Sequence, residues 1–331
     1  MQRWKNRPDG SNWGEFGEHD QIGRLNLITP ERRRAAVAEV REGLAFPLSL
    51  PLDFPKGEYA QGFRKPPLLA SAELGHNRLI RPGATSDVVN DDYAVLHLQY
   101  STQWDSLAHV GARFDLDGTG EPVMAYYNGY RAGTDVIGDP EGSVTPHADA
   151  LGIETLAQTS VQGRGVMVDL ERAAGRGGAA VGHEQLMGIL EEQEVVVEPG
   201  DILCLHTGTA AVILDLGERL TREDLAGHGA GLDGGDERLL RWITDSGVSA
   251  IVADNLAVES FGGEPAPGAE HLLPLHAHCL FKQGIPLGEM WYLSELNAWL
   301  RAHGRSRFLL TAPPLRLPGA VGSPVSGVAT V

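Results

Sequence analysis

Residues 97–111, HLQYSTQWDSLAHVG, gather two histidines, an aspartate, two glutamines and a tryptophan within one short stretch. Gln99, Ser101, Gln103 and Asp105 alternate, the spacing that puts four side chains on one face of a strand. Asp105 and His109 lie four apart, the spacing that puts both on one face of a helical turn. Either geometry collects polar groups on one surface, where a strand meant only for packing would carry apolar residues. Such a set can ligate a metal, hold a hydrogen-bonded cluster around a catalytic histidine, or sit as a satisfied polar core.

A second set lies in residues 273–293, LPLHAHCLFKQGIPLGEMWYL, where His276, His278 and Glu289 are ligand-type residues. If the chain is helical after Pro274, His276 and His278 point about 200° apart, so only one can enter a site and the other is structural or at its rim.

The elements that must position these groups are strands alternating with helices. GRGVMVDL (163–170), DILCLHTG (201–208) and VSAIVADN (248–255) are short β-branched runs bounded by turn residues or charge, the pattern of buried strands. Helical patterns cover residues 183–194, 236–247 and 294–304, and LNLITPERRRAAVAEVREG (25–43) reads as a helix with Thr29 as N-cap, Pro30 at its first position and Gly43 at its end. Residues 50–95, rich in Pro and Gly, read as loops and brief strands, and GGEPAPGAE (262–270) as a flexible loop or lid. The fold class is α/β or α+β.

The chain has 331 residues, 42% of them hydrophobic and 21% charged, which is globular composition. Its formal net charge of −17 repels phosphate backbones and anionic lipid, so nucleic-acid and membrane partners are not expected. Arg32, Arg33 and Arg34 form the one compact basic run and read as a solvated helix face. Cys204 and Cys279 sit among apolar neighbours and read as buried thiols. No signal-like or membrane-length apolar run occurs, so the cytoplasm is the expected location.

Taken in order, the two clusters resemble the cyclase family that includes bacterial kynurenine formamidases and isatin hydrolases. Its hallmark is H-x-G-T-H-x-D-x-x-x-H, followed much later by a histidine and a glutamate near a G-[IV] turn. With Asp105 on the motif's aspartate, His109 falls on the last histidine, while Gln99 and Gln103 replace the first two. NWGEFGEHDQIGRLNLITPE (12–31) resembles the opening of a subgroup with a longer N-terminus that also carries the S-T-Q-W-D form. GRGVMVDL, VEPGDILCLHTG and ADNLAVE resemble its later strands.

The resemblance implies a swivelling β/β/α domain with a mixed central sheet, spanning residues 1–331 with an N-terminal extension of about 1–45 packed on it, and a homo-oligomer, dimer or tetramer. It implies a metal-dependent hydrolase of an amide, cyclic amide or lactone carbonyl in a small, cyclic or aromatic substrate, with His109 as proton shuttle beside Asp105 and Gln103. Relatives bind one ion through both histidines and the aspartate and a second through the aspartate, the later histidine and the glutamate. Only the second set, Asp105, His276 and Glu289, is intact here, so one divalent ion (Zn, Mn or Mg) is expected, with Gln103 as a further oxygen ligand. A metal-free cyclase, dehydratase or isomerase using the same acid/base groups is the alternative, as is a small-molecule binding protein. Around the site, Trp13, Gln99, Trp104, Tyr126, Tyr127, Thr207 and His278 are the candidate substrate contacts, with His206 at the end of its strand and Asp254 and Glu259 on the far side.

Overall fold

The apolar runs of the sequence meet in one mixed sheet of nine strands. The computed structural model describes residues 3–72, 75–139, 141–260 and 270–331. In chain order the strands are β1 (Ala45–Pro47), β2 (Gln103–Asp105), β3 (Gln162–Asp169), β4 (Ile202–His206), β5 (Ala250–Ala253), β6 (Leu287–Glu289), β7 (Arg307–Thr311), β8 (Gly322–Pro324) and β9 (Val328–Thr330). Their order across the sheet is β1-β9-β7-β3-β4-β5-β6-β2-β8. Strands β3 to β6 run parallel, and every other pairing is antiparallel.

Both faces of this sheet are covered, which is why its central strands are continuously apolar rather than alternating. Along β4, Ile202 and Cys204 face a core with Trp104 and Trp291, while Leu203 and Leu205 face Leu186, Leu239 and Ile243 on the other side. The latter three come from helices α3 (His183–Glu192) and α5 (Glu237–Ser246). With α1 (Pro30–Val37), α2 (Ile153–Thr159), α4 (Thr209–Leu216) and α6 (Ser294–Ala302), these are the principal helices. Gly165 of β3 is required by packing: a Cβ there would lie 2.4 Å from the Phe308 ring. Both cysteines are free and buried.

The expected strands and the helices over 183–194, 236–247 and 294–304 are present; β3 is shifted by one residue, and the others fall one or two residues short at one or both ends. The helix expected over 25–43 is different. A short turn, Gly23–Leu27, precedes α1, where the Thr29 side chain accepts from Arg32 N–H as its cap and Pro30 takes the first position. The helix stops at Val37 instead of reaching Gly43, because Glu42 and Gly43 N–H groups bond the Val331 carbonyl and draw the chain onto the C-terminal strand. The arginine run is not simply a solvated face either. Arg32 pairs with Glu198 at 2.7 Å and Arg33 donates to the Thr159 carbonyl, so both tie α1 to the body. The loop read over 262–270 lies outside the described residues except for Glu270.

Among these ties, Arg164 of β3 is the most buried. It donates two hydrogen bonds to Asp201, at 2.8 and 3.0 Å, and a third to Glu198 at 2.7 Å. Asp201 is fully buried. Arg164→Leu is therefore expected to cost about 3 kcal/mol or more in urea unfolding, because it strands a buried carboxylate; a change below about 1 kcal/mol would refute the assignment.

Candidate functional site

The antiparallel pairing of β2 with β6 sets Gln103 opposite Glu289 and Asp105 opposite Leu287. Directly opposed residues share a face and approach closely, so the pairing alone brings the amide to the carboxylate. Gln103 Nε2 donates to Glu289 Oε2 at 2.8 Å and reaches Asp105 Oδ1 at 3.5 Å. Between them Trp104 points the other way, into the core against Trp291, and the Trp291 indole donates back to the Gln103 carbonyl. Gly288 leaves room for this ring, since a Cβ there would sit 2.8 Å from its Nε1.

His276 arrives from the other cluster on a short helical turn, Pro274–His276, which continues as a π-helical stretch over Ala277–Gln283. Its Nδ1 meets Glu259 Oε1 at 2.6 Å and its Nε2 meets Glu289 Oε1 at 3.2 Å. Glu259 also accepts from the backbone N–H groups of Leu275 and His276, each at 3.1 Å, so it fixes both the turn and the ring. A turn after β2 then places His109 Nε2 3.8 Å from Asp105 Oδ1, with His109 partly exposed and Asp105 fully buried.

Asp105, His276 and Glu289 are all buried and offer ligand atoms within 4.8 Å of one another. The local charge is strongly negative: among the described residues, the three carboxylates Asp105, Glu259 and Glu289 have histidines as their only ion-pair partners. Burial, opposed by His109 and reinforced by Glu289, raises Asp105 to about 6. Burial pulls His276 down, but its hydrogen bonds to Glu259 and Glu289 prevail and lift it to about 10. Asp105 Oδ2 and Gln103 Oε1 are buried without hydrogen-bond partners. A divalent cation fits this donor set: it would relieve the carboxylate repulsion and use the orphaned oxygen, with Glu259 holding the His276 ring from behind.

Two backbone conformations hold the carboxylates in place. Val258, just before Glu259, has φ +59°, and Met290, just after Glu289, has φ +54°. A β-branched residue in the left-handed region costs about 1–3 kcal/mol and persists only where its surroundings impose it. Asn255 does so here. Its side chain accepts from Val258 N–H and donates to the Val258 carbonyl, while its own carbonyl accepts from Met290 N–H.

Next to Glu259 opens a cavity of about 420 Å³, lined largely by apolar groups that include Tyr59, Phe63, Leu225 and Leu256, with Arg64, Arg222 and His228 among its polar members. Burial raises the Tyr59 hydroxyl, and Arg64 and Glu289 act on it in opposite directions, so this wall lies beside the carboxylates. Tyr59, Arg64, His228, Asn255 and Leu256 were not singled out from the sequence. Tyr59 and Arg64 lie in a Pro/Gly-rich stretch without periodicity, and the one available signal was Asn255 within ADNLAVE.

The structure brings Gln103, Asp105, His109, His276 and Glu289 together, but Gln103 faces the carboxylates with its nitrogen, as a donor, instead of offering the oxygen expected of a ligand. The strand expected from Gln99 shrinks to Gln103–Asp105. Gln99 lies in the preceding turn, half-buried against Gly322, and its carbonyl accepts from Arg64. Trp13 is not a substrate surface: it is buried among Trp4, Phe114 and Phe281, its indole donating to the Phe281 carbonyl. Trp104 and Tyr127 are likewise fully buried, the former donating to the Ala312 carbonyl. Tyr126 packs over Gly111 and does not line the cavity. His278 turns away to Thr244 Oγ1 at 3.0 Å, and burial lowers it to about 4. Thr207 sits behind the cavity wall, bonded to Thr209 Oγ1 and, through its N–H, to Asp254.

His206 leaves the site altogether. It binds Asp169 Oδ1 at 3.1 Å and Ser294 Oγ at 3.2 Å, and Asn297 donates to Asp169 Oδ2 at 2.8 Å. Burial would raise the Asp169 carboxyl, but the bonds from His206, Asn297 and Arg172 N–H outweigh it and hold it at about 2. Its contribution to stability is present above the ordinary value of 3.8 and is lost as pH falls through about 2. Asp169→Asn is thus expected to cost about 1–2 kcal/mol at neutral pH in denaturant titrations, the difference from the parent shrinking toward pH ~2. A cost independent of pH would show that packing, not charge, sets the effect.

Residues 46–260 match the family model described as putative cyclase. Among solved structures, a crystal structure of a novel cyclase is 32% identical, with a TM-score of 0.77 and 97% of each chain covered. Isatin hydrolase A from Labrenzia aggregata, bound to benzyl benzoate, is 15% identical, with a TM-score of 0.56 over 89% of this chain and 95% of that one. An isatin hydrolase bound to the product analogue thioisatinate is 12% identical, with a TM-score of 0.55 over 92% and 99%. The two hydrolases share the fold. No curated protein matches the chain.

Proposed function

This chain belongs to the putative cyclase family, and on that premise we propose that it is a metal-dependent hydrolase of an amide, cyclic amide or lactone carbonyl. The observation that carries this reading is the buried Asp105, His276 and Glu289 group beside an apolar cavity. The hydrolase relatives of the same fold support the reaction class.

When bound, a divalent ion would polarise the substrate carbonyl and acidify water near neutral pH. Each residue has a part to play around it. Glu259 accepts the His276 Nδ1 proton and so leaves Nε2 as the ligand nitrogen. Gln103 holds Glu289 by its amide. His109, the partly exposed member, stands 3.8 Å from Asp105, where an imidazole can take a proton from water and return it to the leaving group. Tyr59, Phe63 and Leu256 offer the cavity wall to a cyclic or aromatic substrate.

A metal-free cyclase or dehydratase is the second reading, favoured by one observation: both ring nitrogens of His276 already have carboxylate partners. Elemental analysis and chelator treatment separate the two. One tightly held divalent ion per chain, with turnover abolished by chelator and restored by Zn or Mn, is expected; full activity in chelator would establish the second reading.

Two variants test the roles. Glu259→Gln is expected to weaken divalent-ion affinity about 10- to 100-fold in metal titration, because the carboxylate behind a ligand histidine raises its basicity. His109→Ala is expected to lower kcat roughly 100- to 10,000-fold with ion content unchanged, the loss of a proton shuttle. Ion loss on that substitution would instead make His109 a ligand.

A further inference from the structure

The cavity beside Glu259 is mostly apolar, yet two guanidinium groups, those of Arg64 and Arg222, are set into its lining. Arg64 is half-buried: its Nη1 donates to the Gln99 carbonyl at 2.8 Å, and its guanidinium carbon lies 5.3 Å from the centre of the Phe63 ring, which lines the same cavity. Its charge opposes the effect of burial on Asp105, so it stands near the ligand group. Arg222 is exposed at the start of the short helix Arg222–Gly227, where its backbone N–H donates to Glu58 Oε2 at 3.0 Å. Among the described residues, neither guanidinium has a carboxylate ion-pair partner. Glu259 is the one acid among the described lining residues, and its oxygens are taken by the His276 ring and by the N–H groups of Leu275 and His276. The cavity therefore carries two positive charges that no described residue neutralises, in a chain of net charge −17.

We propose that Arg64 and Arg222 make the cavity selective for an anionic substrate, a small ring compound bearing a carboxylate, with its ring on Phe63 and Leu256 and its carboxylate on the two guanidinium groups. A guanidinium against an apolar wall gives up part of its hydration, a cost recovered when an anion pairs with it. Its planar fork fits a carboxylate through two parallel hydrogen bonds, and such charge-assisted bonds are stronger than neutral ones. The ion site next to it has the opposite need. Asp105, Glu259 and Glu289 outweigh one divalent ion, so an anionic molecule is repelled there unless positive charge nearby admits it. A cavity of about 420 Å³ is within the range that holds a molecule of this kind. That the carbonyl of the bound molecule is the one hydrolysed rests on the hydrolase reading above, whereas the choice of an anion rests on the arginines alone. Neutral amides and lactones of the same shape bind less well, because they leave the guanidinium groups without a counter-charge.

The experiment titrates the full chain with benzenesulfonate and with methyl phenyl sulfone, its neutral counterpart, by ligand-observed NMR, which reads affinities as weak as millimolar. A sulfonate carries the charge and the accepting oxygens of the anion but is a poor ligand for divalent ions, so it reports the arginines and not the ion site. The parent is expected to bind the sulfonate about 10-fold tighter than the sulfone or more, the scale of one hydrogen bond to a charged group. Arg64→Gln and Arg222→Gln are each expected to narrow that gap about threefold or more, and the double variant to abolish it. Sulfone affinity is expected to stay unchanged throughout, which verifies that the cavity is intact. Arg222 is exposed, so its variant carries the test even if the Arg64 variant, having lost the bond to Gln99, loses sulfone binding as well. Equal affinity of the parent for the two compounds, binding of neither, or a preference that survives in the double variant would overturn the proposal. A preference that chelator removes would do the same, since the anion would then sit on the ion. Failure of the hydrolase reading shows separately, as full activity in chelator, and leaves these affinities as they are.

Discussion

The cross-strand contact between Gln103 and Glu289 is the constraint from which the site follows. Two strands of three residues, β2 and β6, must pair in a register that buries an amide and a carboxylate opposite each other. Burying a carboxylate is costly unless it is bonded, so each further element near it is arranged to supply a partner. The helical turn after Pro274 delivers His276, Glu259 braces that histidine, and the turn after Asp105 delivers His109. On the opposite side of β2, Trp104 and Trp291 lock the register by packing and by the indole bond to the Gln103 carbonyl. A slip of one residue in either strand would turn that strand's carboxylate, Asp105 or Glu289, toward the tryptophan core and part the two.

Strain and charge are concentrated in the same few residues. Val258 and Met290 adopt left-handed backbone next to Glu259 and Glu289, and Asn255 binds both segments. Two carboxylates, Glu259 and Glu289, then bond one imidazole, with Asp105 within 4.8 Å of the group, an arrangement that favours an imidazolium or an added cation. A fold optimised for stability alone would have no need of it, and sites of chemistry are where such departures collect. By contrast, Asp169, His206, Ser294 and Asn297 form a polar cluster in which each buried group finds an ordinary partner.

Much of this was legible in the sequence because it depends on local pattern. Apolar runs bounded by turn residues located β3, β4 and β5, and caps such as Thr29 with Pro30 located the start of α1. The alternation put Gln103 and Asp105 on one face, as observed, whereas Trp104 between them, read as a candidate substrate contact, points into the core. The spacing of His276 and His278 required that only one enter the site, though not which; the π-helical continuation and Thr244 decide for His276.

What the sequence by itself determined, then, was the class of elements and the types of group available for chemistry, since propensity, periodicity and side-chain acidity belong to single residues and their near neighbours. Only the tertiary structure decided which groups meet. Glu259 braces His276 across 17 positions, and Gln103 reaches Glu289 across 186. Trp13, Trp104 and Tyr127, whose flat surfaces could equally face a substrate or a core, go to the core because the sheet and the N-terminal segment enclose them there. The cavity wall at Tyr59 and Arg64 comes from a stretch without periodicity. Its position is set by the body it crosses, and no pattern within the stretch encodes that.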